Sequence, residues 1–239
     1  MSKHCAIVLS AGKGKRMGTS TPKQYLGLCG KPILFYSLKA MEDSFIDDII
    51  LVVGKGEAQS VKNDIVDKYE FKKIRKIVEG GKERYHSVYN GIQAAEAFDP
   101  DYIYIHDGAR PFITEEILER AKDGAKAYRA CVVGMPSKDT VKLADEEGFA
   151  ATTPNRNLVW TIQTPQTFEY KLIADAYSEL IIREEELIEK GITITDDAMV
   201  LEQFSGVKVK LVEGAYTNIK ITTTEDLLYA KMVIDSLES

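Results

Sequence analysis

Four cations crowd one glycine-containing stretch of an otherwise acidic chain. "SAGKGKRMGTSTPKQY", residues 10–25, holds Lys13, Lys15, Arg16 and Lys23 and no acidic residue, whereas the whole 239-residue protein has a formal net charge of −6. Glycines at 12 and 14 let backbone N–H groups close on phosphate oxygens, and Lys and Arg neutralise phosphate charge. The stretch has the chemistry of a polyphosphate loop. It is not the G-x-x-x-x-G-K-[ST] loop, and Met17 stands where a G-x-G-x-x-G pattern counted from Gly12 requires its third glycine. The plainer alternative is a solvated loop with ordinary surface lysines. A second chemical group is Asp107, which closes the apolar run "DYIYIHD". A carboxylate at a strand end suits Mg²⁺, which takes one or two carboxylates plus phosphate oxygens. Asp107 could otherwise cap a helix or pair internally with Arg110. His106 beside it reads as a structural residue, with no Ser or Cys partner for nucleophilic chemistry.

The elements that must position these groups alternate along the chain. "CAIVLSA" (5–11) is a buried-strand run, and "KPILFYSLKAME" (31–42) has apolar residues at helical spacing with Pro32 at a first helical position. The alternation recurs with strands at 48–54, 74–80, 101–108 and 130–136 and helices near 57–68, 83–97 and 114–127. Continuously apolar strands separated by helices predict a Rossmann-like, doubly wound, mainly parallel sheet, with ligands at the strands' carboxyl ends. After Pro136 the rhythm breaks, and 139–168 reads as a β excursion around a Glu-Glu-Gly turn. A helix over about 169–190 stopping at Gly191, a short helix at 195–204 capped by Thr195, strands in "VKVKLVEG" and "NIKIT", and a last helix capped by Thr223 or Thr224 complete the expectation. The reading is one domain, 1–239, with a β-arm at about 137–166.

Composition narrows the partners. With 44% hydrophobic and 28% charged residues the chain can bury a full core. An acidic balance argues against general nucleic-acid binding, which needs a basic surface. Cys5, Cys29 and Cys131 are odd in number and widely spaced, which indicates neither a disulfide framework nor a zinc site and fits a reducing cytoplasm. The N-terminal apolar run is too short for a membrane span and has no signal-peptide cleavage pattern.

The order S-A-G-x-G-x-R-M, then P-K-Q-Y, resembles the nucleotidyltransferases that activate sugars and alditol phosphates. "EGGKERYHSV" (79–88), "HDGARPF" (106–112), "KDT" (138–140), "NRNLVWTIQTPQTF" (155–168), "TDDA" (195–198) and "VEGAYTNIKIT" (212–222) follow in order. Together they resemble the family of 2-C-methyl-D-erythritol 4-phosphate cytidylyltransferases, over about residues 5–235. Ser10 departs from the more usual Ala, and Gly108 stands where many relatives have Ala.

The resemblance implies transfer of CMP from CTP to 2-C-methyl-D-erythritol 4-phosphate, with release of pyrophosphate, in isoprenoid precursor synthesis, with Mg²⁺ as cofactor. It implies that Arg16, Lys23 and Lys220 stabilise the reacting phosphate. Ser10, Ala11, Gly12, Gly14, Gly80, Gly81 and Ser87 would hold the nucleotide, and Asp107, Arg110, Thr140, Arg156 and Thr164 the acceptor, Asp107 also serving the metal. Each cation could instead be a surface ion-pair partner, and Gly80-Gly81 a plain strand-to-helix turn. A ribitol- or related alditol-phosphate cytidylyltransferase shares most of these motifs, and a catalytically silent nucleotide-binding protein is the reading of another class. With a last helix close to residue 239, no cyclodiphosphate synthase of the kind fused to some relatives is expected. Val141, Leu143, Phe149, Leu158 and Trp160 lie on the excursion, where a monomer would struggle to bury them. A homodimer through the arm is expected, with Thr140 and Arg156 completing the neighbour's acceptor site.

Overall fold

The structure is a computed structural model that describes residues 2–12 and 22–237. The predicted Gly14 and Arg16 lie outside the described residues. Seven strands form the main sheet: β1 (His4–Ser10), β2 (Asp48–Val53), β3 (Ile74–Glu79), β4 (Tyr102–Asp107), β5 (Ala130–Pro136), β6 (Trp160–Glu169) and β7 (Lys210–Glu213). Their spatial order is β7-β5-β6-β4-β1-β2-β3. β6 runs antiparallel to both neighbours and every other pairing is parallel. The fold is the Rossmann-like α/β sheet that the strand–helix alternation predicts.

The central strands β1 and β2, with most of β4 and β5, are apolar and buried because both of their faces are covered. Along β1, Ala6 and Val8 pack into one core and Cys5 and Ile7 into the other. The first core takes α1 (Ile33–Asp43), α2 (Ala58–Val61) and α4 (Glu115–Tyr128), and the second takes α3 (Arg84–Ala95), α5 (Tyr170–Ile182), α6 (Glu184–Glu189) and α7 (Asp197–Ser205). A smaller core seats α8 (Thr224–Leu237) on Leu28, Ile33 and Phe112. No helix of the described residues is long and apolar enough to cross a membrane.

Several local expectations shift. The excursion at 139–168 is only partly an arm, because Trp160–Glu169 is an internal strand of the main sheet, paired on both sides. Its polar run Gln163, Thr164, Gln166 and Thr167, interrupted by Pro165, disguises it, yet all four polar residues are buried. What projects is shorter, a two-stranded ribbon of Leu143–Ala144 and Ala150–Thr152 with its flanks. Pro32 precedes α1 in an extended conformation instead of starting it. The helix near 57–68 passes from α2 into a π-helical stretch at Lys62–Asp67. The helix at 169–190 breaks at Arg183, whose φ of −105° and ψ of 14° leave the helical region. Asp196, not Thr195, caps α7: its carboxylate accepts from the Met199 N–H at 2.9 Å. "NIKIT" is no strand, since Ile221 N–H donates to Ala109 and the buried Asn218 side chain donates to the Thr164 carbonyl. Thr223 accepts from the Asp226 N–H at the start of α8.

His4, at the start of β1, is buried, stacks on Tyr102 and shares a hydrogen bond with the Tyr104 hydroxyl at 2.9 Å. Burial first, then the charge of Lys126, holds its pKa below the ordinary value. A depressed histidine contributes stability that is complete above the unfolded pKa and is lost as pH falls below it. Urea denaturation at about pH 7 and about pH 5 should therefore show a larger loss for the wild type than for His4→Asn. Equal losses would remove His4 as a source of the acid sensitivity.

Candidate active site

The sheet order reverses direction between β1 and β4, so the crevice at their carboxyl ends is the place where this topology binds ligands. Leu9 on β1 sits in register with Asp107 on β4. A cleft of about 570 Å³ opens there. One wall is Ser10, Ala11 and Gly12 leaving β1; a second is the turn into α3 with Gly81, Lys82, Glu83, Arg84 and Ser87. Asp107 and Ala109 form the floor, and Lys23, Gln24 and Lys220 close the remaining side. Gln24 is buried and pins the loop by donating to the carbonyls of Ser10 at 2.6 Å and Gly12 at 3.1 Å. The Lys23 ammonium donates to the Ile221 carbonyl at 2.9 Å, which ties it to the segment that carries Lys220.

Asp107 is the electrostatic centre. Its Oδ2 lies 2.7 Å from the Lys220 Nζ and 3.8 Å from the Arg110 Nε, and its Oδ1 lies 3.7 Å from the Arg84 Nε. Burial works to raise the pKa of this carboxyl, but Arg84, Lys220 and Arg110 together hold it well below the usual carboxylate range. It stays ionised. The Asp107 N–H donates to the Thr164 hydroxyl at 3.1 Å, and the same hydroxyl shares a 3.0 Å hydrogen bond with His106 Nδ1. The other His106 nitrogen lies 3.2 Å from the Arg110 carbonyl. Burial lowers the His106 pKa to about 4, so the ring is neutral at neutral pH and serves to hold the strand end.

Of the residues expected from sequence, Ser10, Ala11, Gly12, Lys23, Gly81, Ser87, Asp107 and Lys220 line this one cleft. Gly80 lies directly behind its wall. A Cβ on Gly80 would stand 2.5 Å from the Ala11 Cβ and 2.7 Å from the Ser87 Oγ, so close approach, more than turn conformation, demands glycine here. The Ser87 hydroxyl accepts from the Gly81 N–H and donates to the Glu83 carbonyl, fixing the turn. Four of the residues expected to hold the acceptor do not line this cleft. Thr164 is buried and its hydroxyl is used by Asp107 and His106, so it supports the floor and does not face the cleft. Arg110 lies behind Asp107 with its terminal nitrogens directed at the carbonyls of Asn218 and Ile162. Thr140 and Arg156 are exposed on the arm and do not line the cleft of their own chain, with Arg156 donating to the Lys138 carbonyl. The cap alternative for Asp107 falls as well, because Thr114 caps α4.

Arg84, Lys82 and Gln24 are cleft residues that sequence reasoning did not single out. Arg84 stands inside "EGGKERYHSV", where the signal available was a cation at the first turn after two glycines. Its partner Asp197 lies in "TDDA" and is wholly buried.

A Rossmann-like sheet whose switch-point cleft gathers lysines and an arginine around one ionised carboxylate has the fold and the site chemistry of a nucleotidyltransferase. The family model for 2-C-methyl-D-erythritol 4-phosphate cytidylyltransferase matches residues 4–236. The chain belongs to that family. A relative of that name from Lachnoclostridium phytofermentans is 48% identical over 98% of this chain and 97% of its own length. One from Caldanaerobacter subterraneus is 44% identical over 96% of this chain and 97% of its own. The crystal structure of 4-diphosphocytidyl-2C-methyl-D-erythritol synthase from Anaerococcus prevotii superposes with a TM-score of 0.84 at 34% identity, covering 98% of this chain and 96% of that one.

Gly80→Ala should displace the Ala11–Ser87 wall, with a stability loss of about 1–3 kcal/mol typical of overpacking. The KM for nucleotide should rise at least about tenfold while the KM for the acceptor moves little. Steady-state kinetics with each substrate varied checks this, and an unchanged nucleotide KM would detach this wall from nucleotide binding.

Proposed function

We propose that this cleft transfers CMP from CTP to 2-C-methyl-D-erythritol 4-phosphate and releases pyrophosphate. The observation that carries the reading is the meeting of Lys23, Lys220 and the ionised Asp107 at the β1/β4 switch point of a chain in this family. An oxygen of the acceptor's phosphate attacks the α-phosphorus of CTP, the bond from that phosphorus to the bridging oxygen breaks, and pyrophosphate departs. Negative charge grows on the α and bridging oxygens, so fixed cations facing them supply most of the acceleration. Lys23 and Lys220 take that role, and Arg16 is proposed to join them. The Ser10–Gly12 and Gly81–Ser87 walls hold the nucleoside. A nucleotide-binding protein without catalysis would need no cation at every point of the reacting phosphate.

Mg²⁺ fits the donor set. Among the described residues no group of three or more His, Cys, Asp or Glu is placed to hold a metal, so an all-protein cage is not what the cleft offers. Asp107 offers one ionised hard-oxygen ligand at the cleft floor, which suits an ion whose other ligands are phosphate oxygens and water. When bound, the ion would neutralise the departing pyrophosphate. Asp107 would hold it, and Lys220 would be released from Asp107 toward the phosphates.

The arm argues for a second copy of the chain. Leu143, Phe149 and Leu158 are 54%, 68% and 79% exposed, an apolar cost that a two-fold neighbour would remove. Thr140 and Arg156, unable to serve their own cleft in this arrangement, would then serve the partner's acceptor site.

A pyrophosphate-release assay with CTP and 2-C-methyl-D-erythritol 4-phosphate, ribitol 5-phosphate or no acceptor tests the function. Release is expected with the first and abolished by a chelator; release only with ribitol phosphate, or with neither, overturns it. Lys23→Ala should stay folded and lose on the order of 10²-fold or more in turnover, the scale of one lost transition-state donor. Lys23→Ala and Arg156→Ala proteins, each nearly inactive, should recover about a quarter of wild-type sites when refolded together, since half the dimers are mixed and each of those has one intact site. No recovery from verified heterodimers would remove Arg156 from the shared site, and a monomer by light scattering would reject the arm exchange.

A further inference from the structure

We propose that Arg84 is a further nucleotide-facing cation of this cleft and that Asp197, which no ligand in the cleft can touch, is the residue that positions it. The inference rests on the cytidylyl-transfer reading and adds to it a pair of residues linking the cleft to the buried start of α7.

Arg84 is the first residue of α3 and lines the cleft. Its two terminal nitrogens donate to the two carboxylate oxygens of Asp197, at 2.8 and 2.7 Å, leaving only its Nε edge toward Asp107 at 3.7 Å. Asp197 is itself held. The Tyr177 hydroxyl donates to its Oδ1 at 2.5 Å, and its own N–H donates to the Gln166 side-chain oxygen at 3.0 Å, which also accepts from Ala198. The carboxylate lies at the N-terminus of α7, where the helix favours negative charge. Its side chain is fully buried, behind Arg84.

This geometry has a specific consequence. An arginine beside two carboxylates forms its two-pronged bond with one of them, and that bond is strong and directional. Because Asp197 takes the fork, Arg84 stands off Asp107, adding positive potential to the cleft floor without occupying it. Arg84 still stabilises the ionised form of Asp107, as do Lys220 and Arg110. Removing the Asp197 charge would free the fork to close on Asp107 and compete with any cation that Asp107 is to hold. A buried ion pair is weak support for stability as such, since apolar replacements of similar volume are often tolerated. A role for the pair in the cleft therefore separates from a role as a brace.

The separation is the experiment. In Arg84→Met/Asp197→Leu the pair is replaced by apolar side chains, and the protein should melt within a few degrees of wild type. CTP binding by calorimetry in Mg²⁺ buffer, which needs no turnover, should weaken at least tenfold, with kcat also reduced. A folded double variant with wild-type CTP affinity and kcat would leave the pair a brace only and overturn the proposal. For Asp197, Asp197→Asn should raise severalfold the Mg²⁺ concentration needed for half-maximal CTP binding, and that effect should vanish in the Arg84→Met background. An equal effect in both backgrounds would show that Asp197 does not act through Arg84. If Asp197→Asn fails to fold, Arg84→Lys keeps the positive charge but removes the two-pronged hold by Asp197; a raised Mg²⁺ requirement with an unchanged acceptor KM is expected, and an unchanged requirement overturns the positioning role. An inactive wild type that still binds CTP would sink the catalytic reading without touching these comparisons.

Discussion

The carboxylate of Asp107 is the constraint around which the cleft is arranged. A buried anion is costly unless cations and hydrogen bonds compensate it. Here the compensation comes from Arg84 at the start of α3, Arg110 just beyond β4 and Lys220 near the C-terminus. Only Arg110 is local in sequence. The carboxylate is therefore stable as an ion only when three distant parts of the chain have already met, and the same meeting builds a positive rim suited to a triphosphate. Folding and the preparation of the site are one event, because the charges that make the anion tolerable are the charges that a phosphate substrate needs.

β6 transmits that arrangement. It is an internal strand with an unusually polar buried stretch, and its side chains tie the site together. Thr164 holds the Asp107 backbone and His106, and Gln166 holds the start of α7, where Asp197 grips Arg84. Gln163 donates to the Ala215 carbonyl and accepts from Asn218, steadying the segment that leads to Lys220. Buried polar groups are tolerable when paired, and in this strand pairing doubles as alignment. Thr167 is the exception among the described residues, its hydroxyl facing the Cys131 thiol in place of an oxygen or nitrogen partner.

The arm works on a different principle. Its ribbon makes no contribution to the two main cores and leaves Leu143, Phe149 and Leu158 facing outward. Local β pairing forms it, and the described residues leave those apolar side chains uncovered.

The sequence by itself determined the strand–helix alternation, the parallel core strands and the place of the cleft, because continuous apolar runs separated by helical periods admit few arrangements. It also pointed to Lys23, Asp107 and Lys220, whose charges follow strand ends or lie in motifs. Tertiary structure decided what periodicity does not encode. The polar Trp160–Glu169 joined the main sheet because its side chains found partners from remote segments. Thr164 turned inward because the Asp107 N–H at the end of the neighbouring strand needed an acceptor. Arg84 and Asp197, 113 residues apart, became a pair only when α3 and α7 packed on the same face. Local sequence sets backbone preference and which faces are apolar; which charges meet depends on distances between segments, and those exist only in the folded chain.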